Sequence, residues 1–87
     1  MTTDELFETA KKIKKDFENK SFIAEILKSN YEEFKDLSIE EITPLISDDE
    51  ADVGLSTMNG IHKVRIDIGI KYPNTQNFVN TRFMIQI

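Results

Sequence analysis

The chain has 87 residues, enough for one small domain with a thin core. Its apolar share of 39% and charged share of 31% are those of a folded globular protein. The absence of cysteine excludes disulfides, thiolate nucleophiles and thiol-ligated metals. Sixteen acidic and eleven basic residues give a formal net charge of −5, which opposes nonspecific attraction to a phosphate backbone.

The first residues, Met1-Thr2-Thr3-Asp4-Glu5-Leu6, are acidic where a secretory signal would be basic. No stretch approaches the roughly 20 apolar residues that span a bilayer. Cytoplasmic residence is the expectation, in a cell's own cytoplasm or a host's. Thr2 and Glu5 have capping-box spacing, and Leu6, Ala10, Ile13 and Phe17 then recur at helical intervals. They predict a helix from Thr3 to about Glu18.

Asn19-Lys20-Ser21 reads as a break with Ser21 as the next N-cap. Ile23, Leu27, Tyr31 and Phe34 repeat the stripe, widened by Phe22 and Ile26, and predict a second helix from Phe22 to Phe34. A single bent helix from Thr3 to Phe34 is the alternative. Ser38 and Glu41 form another capping-box pair, heading a short helix that Pro44 stops near Ile42 or Thr43. Leu45 and Ile46 are expected to fold back onto the core. The run Asp48-Asp49-Glu50-Ala51-Asp52 faces solvent unless a partner or ion covers it.

From Val53 the period becomes two. Val53, Leu55 and Thr57 alternate ahead of Asn59-Gly60, the strongest hairpin signal in the chain. Val64, Ile66, Ile68 and Ile70 then share one face of a long strand, with Lys63, Arg65, Asp67 and Gly69 on the other. Tyr72–Asn77 makes a turn, which Tyr72 and Phe78 are expected to pack against. The last strand runs from about Phe78 to Ile87, with Thr81, Phe83, Ile85 and Ile87 turned inward. The expected fold is α+β: two N-terminal helices and a short third, packed on one face of a three-stranded antiparallel meander. The chain thereby divides into a helical part (1–46), an acidic linker (47–52) and a sheet (53–87).

Charge divides along the same line. Residues 1–52 carry 15 acidic and 7 basic residues, whereas residues 53–87 carry Asp67 against Lys63, Arg65, Lys71 and Arg82. Glu32, Glu33, Asp36, Glu40, Glu41, Asp48, Asp49, Glu50 and Asp52 could form a negative surface for a basic protein partner. Carboxylates can stand where a partner's nucleic-acid channel expects phosphates. The leading functional reading is therefore a non-enzymatic protein-binding module, an acidic inhibitor or decoy of a nucleic-acid-handling protein. Small accessory proteins of phages and mobile elements act in this way. The bland reading is that the same charges only solvate the helices.

The first alternative is a structural or regulatory homodimer. A three-stranded meander has two free edges, and the last strand carries no proline and one charge. Thr81, Phe83, Met84 and Ile85 are its candidate contacts, with Ile61 and Met84 as apolar residues on the wet face. The second alternative is a weak RNA or DNA contact through Lys63, Arg65, Lys71 and Arg82. Four cations are few for that work, and no exposed aromatic platform accompanies them.

Catalytic and cofactor signals are absent from the sequence. Asp48, Glu50 and Asp52 resemble the start of a calcium loop, but no glycine stands at its sixth position and no glutamate at its twelfth. His62 is the single histidine, and its strand parity is opposite to that of Asp67, which argues against a triad with Ser56 or Thr57. The glycines at 54, 60 and 69 are too scattered for a phosphate loop. The expectation is no enzyme, no cofactor and no metal.

Overall fold

A computed structural model describes residues 2–87. The chain forms α1 (Thr3–Asp16), α2 (Lys20–Asn30), α3 (Ile39–Ile42), β1 (Asp52–Met58), β2 (Ile61–Ile70) and β3 (Val79–Gln86). Single 3₁₀ turns occupy Glu32–Phe34 and Thr43–Leu45. The helices cover one face of an antiparallel sheet ordered β1-β2-β3. Fold class and element order are those expected from the sequence.

Both expected capping boxes form. Thr2 Oγ1 accepts from the Glu5 amide at 3.2 Å while the Glu5 carboxylate accepts from the Thr2 amide at 3.3 Å. Ser38 and Glu41 repeat the exchange at 3.2 and 3.1 Å. Each box satisfies donors that the first helical turn leaves unpaired.

The break between α1 and α2 is real, but its cap is Asn19, not Ser21. The Asn19 side chain accepts from the Ser21 amide at 2.9 Å. α1 accordingly ends at Asp16, short of Glu18. α2 also stops earlier than its stripe predicts, at Asn30, because Tyr31 turns extended at φ −119°. Lys28 Nζ donates to the carbonyls of Lys35 at 2.9 Å and Leu37 at 2.6 Å, tying the following turn back onto α2. Phe34 therefore enters the core from a 3₁₀ turn, fully buried against Tyr72 with ring centroids 5.5 Å apart.

α3 ends at Ile42, and Pro44 falls in the first turn of the 3₁₀ segment, where its missing N–H costs nothing. Ile46 then bridges Ile70, with the Ser47 amide donating to the Gly69 carbonyl at 2.9 Å and Lys71 to Leu45 at 2.8 Å. Asp52 rejoins the sheet opposite Asp67. Ser47–Ala51 is thus an excursion off an edge, shorter than the expected linker because Asp52 belongs to β1.

Asn59 (φ 53°) and Gly60 (φ 78°) both adopt left-handed backbone, the geometry that matches a two-residue hairpin to strand twist. Val64, Ile66, Ile68 and Ile70 are buried beneath Phe17, Ile23, Ala24, Leu27, Ile42 and Ile46. Burying each large side chain contributes about 1.5–3 kcal/mol. Phe17 joins helices to sheet, its ring 5.3 Å from Phe22 and 5.5 Å from Phe83. Buried Thr81 is satisfied by the Tyr72 hydroxyl at 3.0 Å. Phe78 lies one residue before β3 and is half exposed. Cover thins toward the hairpin, where Leu55 and Thr57 of the inward register remain exposed.

Candidate protein-binding surface

The bare face of the sheet is built by the register. The two-residue hairpin sets Asp52 opposite Asp67, Gly54 opposite Arg65, Ser56 opposite Lys63 and Met58 opposite Ile61. β3 adds Arg82 beside Asp67, Met84 beside Arg65 and Gln86 beside Lys63. Two regions result, one charged and one apolar.

In the charged region Arg65 Nη1 donates to Asp52 Oδ2 at 3.0 Å and also to Asp67. Arg82 Nε donates to Asp67 Oδ1 at 2.9 Å. Asp67 is therefore held below the usual carboxylate range, first by the Arg82 hydrogen bond and then by Asn80 and Arg65. Arg65 is pushed up, chiefly by its bond to Asp52. Two of the four basic residues considered for nucleic-acid contact are thus occupied internally, leaving Lys63 and Lys71 without a carboxylate partner among the described residues. In the apolar region Met58, Ile61 and Met84 line a shallow groove of about 290 Å³ with Ser56, Asn59 and Lys63. Met58 is 72% exposed and Met84 47%.

The nine carboxylates of the expected acidic surface are all exposed, but the structure divides them. Glu32 to Glu41 lie on the turn after α2 and on α3, and Asp48 to Asp52 lie on the excursion and the start of β1. Lys14 pairs with Glu50 at 2.7 Å, Lys20 with Asp48, Lys35 with Glu32 at 2.9 Å and Arg65 with Asp52. The Lys14 contact lowers Glu50 below its ordinary value and raises Lys14. Glu41 is lowered by its capping bonds to Ser38. Glu33, Asp36, Glu40 and Asp49 have no such partner among the described residues. The Lys14 and Lys20 pairs flank a cleft of about 290 Å³ between the helices and the excursion.

Backbone accounting leaves β3 with the longer row of unpaired groups. The Ile87 amide donates to the His62 carbonyl at 3.0 Å, so residues of that parity bond across β2–β3. Val79, Thr81, Phe83 and Ile85 therefore aim their amides and carbonyls at β2. Those of Asn80, Arg82, Met84 and Gln86 point away from the sheet, and among the described residues nothing accepts or donates to them. Of the four residues expected to make edge contact, Met84 has its backbone on the edge. Thr81, Phe83 and Ile85 are turned to β2, with Thr81 and Phe83 buried. On the opposite edge Val53, Leu55 and Thr57 also point their backbone groups away from β2, but that row is shorter, α1 packs beside β1 and the excursion interrupts the edge.

The outward roles of Asn80 and Gln86, and the Met58–Ile61 pair, were not anticipated. The hairpin register would have revealed the second, because a two-residue loop at Asn59-Gly60 fixes every β1–β2 pairing. His62 Nδ1 lies 2.8 Å from Thr57 Oγ1, its cross-strand neighbour, and Asp67 is on the other face. No group of three or more metal-ligating side chains converges among the described residues. No helix among them is long and apolar enough to cross a membrane. The sequence matches no protein-family model, and no curated protein or solved structure is significantly similar to it.

Proposed function

We propose that this chain is a non-enzymatic protein-binding module that works by strand pairing at β3. The observation that carries this reading is the row of unpartnered backbone groups at Asn80, Arg82, Met84 and Gln86. An edge of this kind offers a ready ladder of hydrogen bonds to an added strand. The apolar groove around Met58, Ile61 and Met84 adjoins it and would add side-chain contact. Charge supports the acidic-decoy and nucleic-acid readings less, because four of the nine carboxylates and two of the four sheet cations are already in ion pairs within the chain.

Met84→Pro tests the reading without touching the core. The amide it removes points outward, so the β2–β3 ladder keeps all its bonds. Tagged wild type and M84P, matched by circular dichroism, are used to capture chains from the source lysate. A quadruple reversal of Glu33, Asp36, Glu40 and Asp49 to lysine is run beside them. A chain held by wild type and the reversal but lost by M84P supports strand pairing. A chain held by M84P and lost by the reversal overturns it in favour of an acidic docking face.

A further inference from the structure

We infer that the strand added to β3 is the β3 of a second copy, in one register centred on Phe83. This rests on the strand-pairing reading and names the partner.

The first argument is the way the edge is kept bare. Natural edges are commonly guarded by proline, a bulge or an overhanging charge. β3 has neither proline nor bulge, and its one charge is Arg82. That side chain is drawn back over the sheet by its 2.9 Å bond to Asp67. Asn80 leans the same way, with Nδ2 3.4 Å from Asp67 Oδ1. The guard residue is turned off its own edge.

The second argument is self-complementarity. An antiparallel pair related by a two-fold axis must match each residue to its mirror about one centre. With the centre at Phe83, residues 79–87 overlap completely. Asn80 then faces Gln86 of the other copy and Arg82 faces Met84. All the outward-pointing amides and carbonyls pair, because only residues of their parity meet as hydrogen-bonded partners. On the inner face Val79, 46% exposed, meets the half-buried Ile87, and Thr81 meets Ile85. A centre at Arg82 would instead oppose the two arginines directly, a repulsive arrangement.

The third argument is electrostatic. Phe34 packs on Tyr72, so the acidic segment Glu32–Glu41 lies at the end of the sheet where β3 begins. The antiparallel arrangement sets these two acidic ends at opposite corners, and the Asp48–Asp52 excursions fall on the two outermost edges. Like charge is kept apart, as a stable pairing of two chains of net charge −5 requires.

The chain has no cysteine, so introduced thiols report unambiguously. In the Phe83-centred register Asn80→Cys of one copy stands opposite Gln86→Cys of the other, about 5.5 Å apart at Cα and within disulfide reach. Two N80C copies, or two Q86C copies, stand far beyond it. The expected result is a disulfide-linked heterodimer from an equimolar mixture under mild oxidation, and none from either variant alone. Sedimentation should show wild type as a dimer, with M84P weakening the dimer by roughly tenfold or more. A wild type that stays monomeric at several hundred micromolar overturns self-pairing, while loss of a foreign partner in M84P would leave the strand-pairing reading intact. A dimer indifferent to M84P overturns self-pairing at β3 and leaves the strand-pairing reading to the capture experiment. Disulfides from N80C or Q86C alone overturn the register.

Discussion

Gly54 lies beneath the guanidinium of Arg65. A Cβ placed on Gly54 would come within 2.5 Å of Arg65 Nη2, so the bare α-carbon is what lets the arginine lie across β1 and reach Asp52. The obstructing atom is the far end of a flexible side chain, so a larger residue there displaces the arginine and leaves the backbone in place.

Gly54→Ala should therefore fold and still raise the titration point of Asp67. The increase should be smaller than in Arg82→Ala, since the Arg82 bond is the largest influence on that carboxylate. Carboxyl-carbon NMR titrations of the three proteins would decide. An Asp67 unmoved in G54A would mean that Arg65 reaches it by another path.

Acid should weaken the fold partly through Asp67. Its value in the folded protein lies below that in the unfolded chain, so its contribution is fully present above the ordinary carboxylate range near pH 4 and is lost as pH falls through the folded value. Glu5, lowered by its bonds to Thr2, and Glu50, lowered by Lys14, act with the same sign. Urea midpoints between pH 6 and pH 2 should decline less steeply for Asp67→Asn than for wild type. Parallel slopes would remove Asp67 from the account.

Phe34 and Phe78 should separate sharply. Phe34 is fully buried, and Phe34→Ala should cost about 3–5 kcal/mol, a large share of the total for a domain of this size. Phe78→Ala should stay within about 0.5 kcal/mol, because the ring is half exposed. Denaturant unfolding measures both, and a costly Phe78→Ala would place that ring in a contact this fold does not show.

The start of α2 offers a direct check of its cap. Asn19→Ala removes the acceptor for the Ser21 amide and should cost about 1 kcal/mol. Ser21→Ala should be nearly neutral. The reverse ranking in thermal or urea unfolding would make Ser21 the cap after all.

Most of the fold was legible from periodicity and caps. Two capping boxes, the β2 alternation and Asn59-Gly60 each name a single local geometry, and each forms as written. Ser21 and Asn19 are both good caps by type, and only the position of the turn decides between them. The stop at Asn30 was hidden because Tyr31 and Phe34 keep the helical spacing while leaving the helix, held by Lys28 from a distance. The Ile46–Ile70 bridge joins residues 24 apart, which no local pattern reports. The candidate surface was legible only in part. Composition identifies charge, but which carboxylates are spent on Lys14, Lys20 and Arg65 depends on packing.

The order of elements also bears on synthesis. The sheet that covers the helical stripes lies C-terminal to them, with Val64 to Ile70 arriving late and Phe83 later still. While the first half emerges from the ribosome, Phe17, Leu27 and Phe34 have no sheet to meet. The nascent helices must wait in water with part of their apolar sides uncovered until β2 and β3 have emerged.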